Sequence, residues 1–422
     1  MMSVIKYVSL IVGLIFTVGY FYQIVYAVIG LLKTPKVYEE TKKNKFGVLI
    51  SARNESAVIA QLIESIKKQN YPKELIEVFV VADNCTDQTA KIARNAGAVV
   101  YERFNKDYVG KGYALDYLLK KIAVDYGDDA FDGYFVFDAD NILDENYVRE
   151  MNKVFCSGYR VITSYRNSKN YGDNWISAGY ALWFLREAKY INNPRMMLGT
   201  SCAVSGTGFL VSKDVFLEND GWKHHLLTED IEFSIDSVIH GETIGYCNSA
   251  IIYDEQPTKF KTSWNQRLRW SKGFYQVFFH YGKQLVSNIV KKRDFASYDM
   301  FMTIAPGIIL TLMTFAIGLV GVIAGIFMPS YRDVFVQSFV GTVCYSLGAT
   351  YVSMFTFGLI TTISEWHQIH TTTAKKIIYL FTFPIYIFTY IPIGVVAMFK
   401  KIQWVPIQHN VVKTAEQIKS VS

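Results

Sequence analysis

The chain has 422 residues, 51% of them hydrophobic, and its 43 Lys and Arg against 37 Asp and Glu give a net charge of +6. That charge does not mark a nucleic-acid binder, because many basic residues flank apolar runs: Lys33, Lys36, Lys42, Lys43 and Lys45 follow the first, and Lys291, Lys292 and Arg293 precede the second. The five cysteines, Cys85, Cys156, Cys202, Cys247 and Cys344, show no CxxC or other metal spacing; such a scattered, odd-numbered set suits a reducing compartment and carries no assigned chemistry.

Val4 to Leu32 contains no charge apart from Lys6. At about 1.5 Å per residue it is long enough to cross a hydrocarbon core of about 30 Å. It exceeds a signal peptide's apolar region and ends in the bulky Ile29 to Leu32, so a retained helix is expected. Positive residues mark the cytoplasmic side of a span, which places the polar middle of the chain in the cytosol.

Phe46 to Ile50 reads as a strand that ends in Ser51-Ala52-Arg53-Asn54-Glu55, followed by a helix patterned on Ile59, Leu62, Ile63 and Ile66. Glu77 to Ala82 is the next strand, closed by Asp83-Asn84-Cys85-Thr86-Asp87 before a helix from about Gln88. Ala98 to Tyr101 gives a third strand, Lys111 to Ala123 a helix, and Tyr134 to Phe137 a fourth strand ending in Asp138-Ala139-Asp140-Asn141. Strands alternating with helices imply a mostly parallel sheet with right-handed crossovers, whose carboxyl edge collects Arg53, Asp83 and Asp138. Asp138 and Asp140 are either hard oxygen ligands for Mg²⁺ or Mn²⁺ or part of an ordinary strand-ending turn. Lys111, on the Gly110-Lys111-Gly112 loop, is either a phosphate partner or a solvated surface lysine.

Further along, Tyr147 to Phe155 and Ala178 to Ile191 read as helices. Ser205-Gly206-Thr207-Gly208 is a turn that lets backbone approach a ligand, or simply a tight turn. Thr228 caps a helix running through Ile231 to Val238, so Asp230 falls in its first turn, as a functional acid or a capping one. In the helix Ser263 to Tyr281, Gln266, Arg269 and Trp270 share a face at i, i+3 and i+4, while Trp264, Phe274, Val277, Phe278 and Tyr281 suit a membrane surface. Met300 to Met328 and Val334 to Ser364 form two spans joined by the loop Pro329 to Asp333. Ile377 to Phe399, interrupted by Pro384 and Pro392, either crosses and leaves Lys400 and Lys401 outside, or is re-entrant or interfacial.

Six of these motifs, taken in order, resemble glycosyltransferase family 2, and in particular its processive polysaccharide synthases for cellulose, mixed-linkage glucan, hyaluronan or poly-N-acetylglucosamine. They are Ser-Ala-Arg-Asn-Glu at 51 to 55, Ala-Asp-Asn-Cys-Thr-Asp at 82 to 87, Gly-Lys-Gly-Tyr-Ala-Leu at 110 to 115, Asp-Ala-Asp at 138 to 140, Thr-Glu-Asp at 228 to 230 and Gln-Arg-Leu-Arg-Trp at 266 to 270. The last matches the family's Gln-x-x-Arg-Trp pattern.

The resemblance implies an α/β, GT-A, nucleotide-sugar-binding domain with a mostly parallel sheet, inserted between transmembrane and interfacial helices. The expected organisation is a transmembrane helix at 1–33, the cytosolic catalytic domain at 46–262, an interfacial helix at 263–290, a transmembrane region at 300–399 and a tail at 400–422. It further implies a multi-pass plasma-membrane enzyme that polymerises a UDP-sugar, UDP-glucose for preference, by an inverting step onto a growing polysaccharide. Poly-N-acetylglucosamine or hyaluronan-type synthesis, or non-processive glycolipid synthesis, are the alternatives. Asp83 would contact uridine with Arg53 and Glu55 nearby, Lys111 would hold the nucleotide, and Asp138 and Asp140 would hold Mg²⁺ or Mn²⁺. Asp230 would be the general base beside Glu229; Gln266, Arg269 and Trp270 would grip diphosphate and acceptor; Gly206 and Thr207 would form an acceptor-side loop. So few spans are lean for a channel, and a homodimer or secretion partner would complete one.

Overall fold

The computed structural model describes residues 2–305, 316, 318–320, 322, 323, 325–327 and 332–421. Helix α1 (Met2–Leu32) leads to an α/β domain, whose first half follows the expected alternation. Its elements are β1 (Phe46–Ala52), α2 (Ile59–Lys67), β2 (Ile76–Asp83), α3 (Thr89–Asn95), β3 (Val99–Arg103), α4 (Lys111–Tyr126) and β4 (Gly133–Asp138). The second half contains β5 (Ile142–Leu143), α5 (Tyr147–Cys156), β6 (Val161–Ser168), α6 (Trp175–Glu187), α7 (Asn193–Leu198), β7 (Phe209–Ser212), α8 (Lys213–Glu218), α9 (Glu229–Ile239) and β8 (Ile244–Asp254). Then come α10 (Phe260–Lys292), α11 (Phe295–Ile304), α12 (Arg332–Ser364), α13 (Thr373–Phe388), α14 (Tyr390–Phe399) and α15 (Ala415–Lys419).

The eight strands among the described residues form one sheet in the order β3-β2-β1-β4-β7-β6-β8-β5. The pairs β1·β2, β1·β4, β2·β3 and β6·β8 are parallel, while β7 runs antiparallel to both β4 and β6. This is the mostly parallel α/β arrangement expected. Alternation along each strand sends Val48, Ile50, Phe135 and Phe137 to one core and Leu49, Phe79, Val81 and Val136 to the other. A sheet covered on both faces needs such continuous apolar strands, and each fully buried side chain contributes roughly 1.5–3 kcal/mol.

Helix α6 starts three residues before the expected Ala178, because Asn174 caps it: its side chain accepts from the amides of Ile176 and Ser177, and Ser177 caps in return. Thr228 stands at the N-cap of α9 but makes no side-chain capping bond. Its hydroxyl is instead pressed by α10, where a Cβ on Gly273 would come 2.4 Å from Thr228 Oγ1. Glycine there lets α10 close on the start of α9.

Helix α1 is tied to the domain through a buried ion pair. Arg195 of α7 grips Asp299 of α11 with Nε and Nη2, each at 2.7 Å, and Tyr22 and Tyr26 of α1 donate to the same carboxylate at 2.9 and 2.8 Å. Among the described residues three segments, Gly13–Leu32, Phe339–Ser364 and Thr373–Phe399, are long and apolar enough to cross a membrane. Of the expected span Met300 to Met328, residues 306–315 and several that follow lie outside the described residues, as do 329–331 of the connecting loop. The Thr373–Phe399 segment breaks at Thr389, where its hydroxyl accepts from Arg267 of α10 at 2.5 Å. Both ends of the segment meet the α/β domain: Lys375 donates to Gly172 O at 2.6 Å, and the chain beyond α14 reaches Glu55.

Candidate active site

The carboxyl edge of the sheet builds one end of a cavity of about 1810 Å³. In the register of the parallel strands Ser51 lies opposite Asp138 and Ala52 opposite Ala82, so Arg53, Asp83 and Asp138 leave their strands together and all line the cavity. The loops after β1 and β2 turn on Asn54 and Asn84, with φ of 58° and 51°, a region asparagine tolerates better than most residues. The amide of Thr86 donates to Asn54 Oδ1 at 2.8 Å and locks the two loops together. Asp83 is buried against Arg103 Nη1 at 2.6 Å. Arg103 is its register partner on β3, so nothing short of the strand pairing reveals it.

Lys111, at the start of α4, lies 2.5 Å from Asp138 Oδ1 and donates to Gly206 O at 2.8 Å. Burial alone would lower this amine's pKa, but Asp138 and Glu229 outweigh it and raise it. Gly206 and Gly208 take φ of 79° and 68°, which a side chain would resist. Thr207, between them, faces away from the large cavity. Its hydroxyl accepts from the Asp138 amide at 2.9 Å and donates to Asn141, so it braces the acidic turn from behind. Asp140 is buried and accepts from the Glu255 amide at 2.8 Å; burial raises its pKa, but His409 and Lys169 overcome that and hold it low.

Asp138 and Asp140 offer two hard carboxylates at the cavity wall. Among the described residues no group of three or more His, Cys, Asp or Glu gathers as a metal site. Two carboxylates fit Mg²⁺ or Mn²⁺, which usually takes its remaining oxygens from phosphate and water.

Across the cavity, α9 begins with Glu229 and Asp230. Burial raises the pKa of both carboxyls, against the opposing charges of Lys111 and Arg269. Gln266, Arg269 and Trp270 project from α10 into the same space. Arg269 is anchored through Nη1 to Leu227 O at 2.8 Å, and Trp270 stands edge-on to Tyr180 at 5.7 Å. Gln266 Oε1 is buried and has no hydrogen-bond partner among the described residues, so it can accept from a ligand. Beyond Trp270 the cavity continues along α12, past Val343, Leu347 and Met354.

The tail closes the sheet end. The Arg53 guanidinium lies over the Trp404 ring at 5.2 Å, His409 Nδ1 meets Glu55 Oε1 at 3.0 Å, and the amides of Asn410 and Val411 donate to Glu255 at 3.0 and 2.8 Å. Burial opposes protonation of His409, yet Asp140 and Glu55 push its pKa up to about 10. Burial likewise pushes Glu55 up to about 6 despite His409. Of the site residues expected from sequence, all but Thr207 line the cavity; Trp404, His409, Arg103 and Lys169 were not expected.

Residues 44–273 match the family described as Glycosyltransferase like family 2. The chain is 25% identical over 268 residues to a beta-monoglucosyldiacylglycerol synthase of Synechocystis, covering 61% of this chain and 54% of that protein. It is 22% identical over 249 residues to a poly-beta-1,6-N-acetyl-D-glucosamine synthase of Staphylococcus aureus, covering 54% of each. The matches therefore span about half the length of these relatives. A mannosyltransferase of Pyrobaculum calidifontis, solved with GDP-Man and Mn²⁺, shares the fold with a TM-score of 0.59 over 93% of this chain and 99% of that one, at 13% identity.

Proposed function

The chain belongs to glycosyltransferase-like family 2, and from that premise we propose that it transfers a sugar from a nucleoside-diphosphate donor to a lipid acceptor at a membrane. The observation that carries this reading is the continuity of one cavity, from Asp83 and Asp138 past Asp230 to Val343, Leu347 and Met354 of α12. That helix contains a segment apolar enough to cross a bilayer. The donor would enter at the sheet edge and the acceptor's hydrocarbon would lie between the helices.

In this reading α1 and α12 cross the plasma membrane. The bent pair α13 and α14, returning to the catalytic domain at both ends, lies along its cytosolic surface. Asp83, backed by Arg103, and Arg53 bind the nucleoside end. Asp138 and Asp140 hold the divalent metal, which when bound neutralises charge on the departing diphosphate. Lys111 and Arg269 add fixed positive charge to the same end. Asp230 takes the proton from the acceptor hydroxyl as its oxygen attacks the anomeric carbon, inverting configuration. Gln266 Oε1 accepts a hydrogen bond from a hydroxyl of donor or acceptor, and Trp270 stacks on the sugar ring.

The glucosyl-lipid synthase relative supports UDP-glucose as donor. A second reading, processive synthesis of a β-glucan or an N-acetylglucosamine polymer, draws on the shared Gln266, Arg269 and Trp270 face and on the Staphylococcus relative. The test is the product made from radiolabelled UDP-glucose or UDP-N-acetylglucosamine by protein in membranes with Mg²⁺ or Mn²⁺. Label in an organic-soluble lipid is expected; label only in an ethanol-insoluble polymer would overturn the lipid reading in favour of the second.

A further inference from the structure

Arg186 ends α6 where the catalytic domain meets α1 and α12, and it lines the cavity. Its guanidinium stands 5.0 Å from the Trp183 ring and 5.7 Å from that of Phe357 on α12. It donates from Nη2 to Gln23 Oε1 of α1 at 3.3 Å, a neutral and long hydrogen bond. Among the described residues no carboxylate forms an ion pair with it, whereas its neighbours Arg166 and Arg195 are held by Asp254 and Asp299. The residues outside the description, 1, 306–315, 317, 321, 324, 328–331 and 422, include no Asp or Glu.

A guanidinium has five N–H donors and stays charged inside a protein. Burial lowers the pKa of Arg186, and Glu187 only partly offsets that while Arg195 adds to it. The two rings supply cation–π attraction, which is no substitute for the anion a half-buried guanidinium calls for. Ionisable groups left in such membrane-facing cavities mark ligand paths.

The geometry points to Arg186 as the seat of an anionic lipid headgroup, a phosphate ester whose hydrocarbon runs along α12. This rests on the lipid-acceptor reading above and narrows it: the lipid carries, besides the hydroxyl that attacks the sugar, a phosphate that Arg186 holds. The planar fork of Arg186 binds two phosphate oxygens at once, while Trp183 and Phe357 pack the first methylenes.

The test titrates dioctanoyl phosphatidate, dioctanoylglycerol and inorganic phosphate into the full chain in detergent, for the unaltered protein and for Arg186→Gln and Arg186→Lys. The unaltered protein is expected to bind phosphatidate at least about tenfold more tightly than dioctanoylglycerol, or about 1.4 kcal/mol, and inorganic phosphate far more weakly than phosphatidate. Arg186→Gln closes that gap, Arg186→Lys keeps part of it, and UDP binding stays unchanged in both, which also reports folding. Equal affinity for the two lipids, or a gap unaltered by Arg186→Gln, overturns the assignment while leaving the lipid-acceptor reading standing. Inorganic phosphate binding as tightly as phosphatidate makes this a free-anion site and overturns it too. If neither lipid binds the unaltered protein, the acceptor reading itself falls. Should Arg186→Gln lose UDP binding, the comparison of lipids on the unaltered protein and on Arg186→Lys decides.

Discussion

His409 Nδ1 lies 3.0 Å from Glu55 Oε1 across 354 residues of sequence, so the end of the chain is pinned to the loop that follows the first strand. The contact places Trp404 beneath Arg53 and covers the donor end of the cavity. Tail docking is therefore expected to depend on protonation of His409, whose pKa is raised from 6.5 to about 10. A raised pKa contributes stability that is fully present below the ordinary value and is lost as pH rises through the raised one. Limited proteolysis should find residues 400–414 protected at pH 7 and cleaved several-fold faster at pH 10.5. His409→Ala should be cleaved equally fast at both. Equal protection of the unaltered tail at the two pH values would remove this ion pair as the latch.

Asp230→Asn is expected to lower kcat by about 10²- to 10⁴-fold, the usual worth of a positioned general base, with UDP affinity unchanged. Because burial raises the carboxyl of Asp230, the acid limb of the rate profile should lie above the ordinary carboxylate range, with activity lost as pH falls through it. Arg269 holds that carboxyl down, so Arg269→Gln should move the limb to higher pH. A limb that stays fixed would place the titrating group elsewhere.

Removing divalent metal with a chelator should abolish transfer, and Mn²⁺ should restore it. Asp138→Asn and Asp140→Asn should each weaken Mn²⁺ binding in the presence of UDP by about tenfold or more, read by electron paramagnetic resonance. Unchanged Mn²⁺ affinity in both would exclude the pair as the metal's protein ligands.

Gly273→Ala puts a methyl 2.4 Å from Thr228 Oγ1 and 2.5 Å from its Cγ2. Overpacking of this kind typically costs about 1–3 kcal/mol, and here it presses α10 away from the start of α9, which carries Asp230. Thermal unfolding should show the loss, and adding Thr228→Ala should recover part of it together with activity.

Much of the parallel half of the sheet is legible in the sequence, because β1, β2 and β4 are apolar runs that stop at polar loops. Their crossovers must then bring Arg53, Asp83 and Asp138 to one edge. What pairing over long separations creates is not legible. Arg103 becomes Asp83's partner only through the register of β2 with β3, and Arg166 meets Asp254 only because β6 pairs with β8. Thr207 reads as part of a ligand turn, yet positive φ on both sides of it swings its hydroxyl back to the acidic loop. Pro384 and Pro392 signal an interrupted helix, whereas the bend at Thr389 is fixed by Arg267, which no local pattern announces.

The central claim is that donor and acceptor hydrocarbon share one cavity, and the most direct measurement is photocrosslinking of a lipid with a diazirine at mid-chain to the full protein in nanodiscs with UDP. Crosslinks mapped by mass spectrometry are expected on Val343, Leu347 or Met354 and on the facing Phe388 to Val395. They should weaken when unlabelled acceptor lipid is added in excess. Crosslinks confined to the outward residues Val340, Tyr345 and Val352 of α12, and indifferent to competitor, would contradict it.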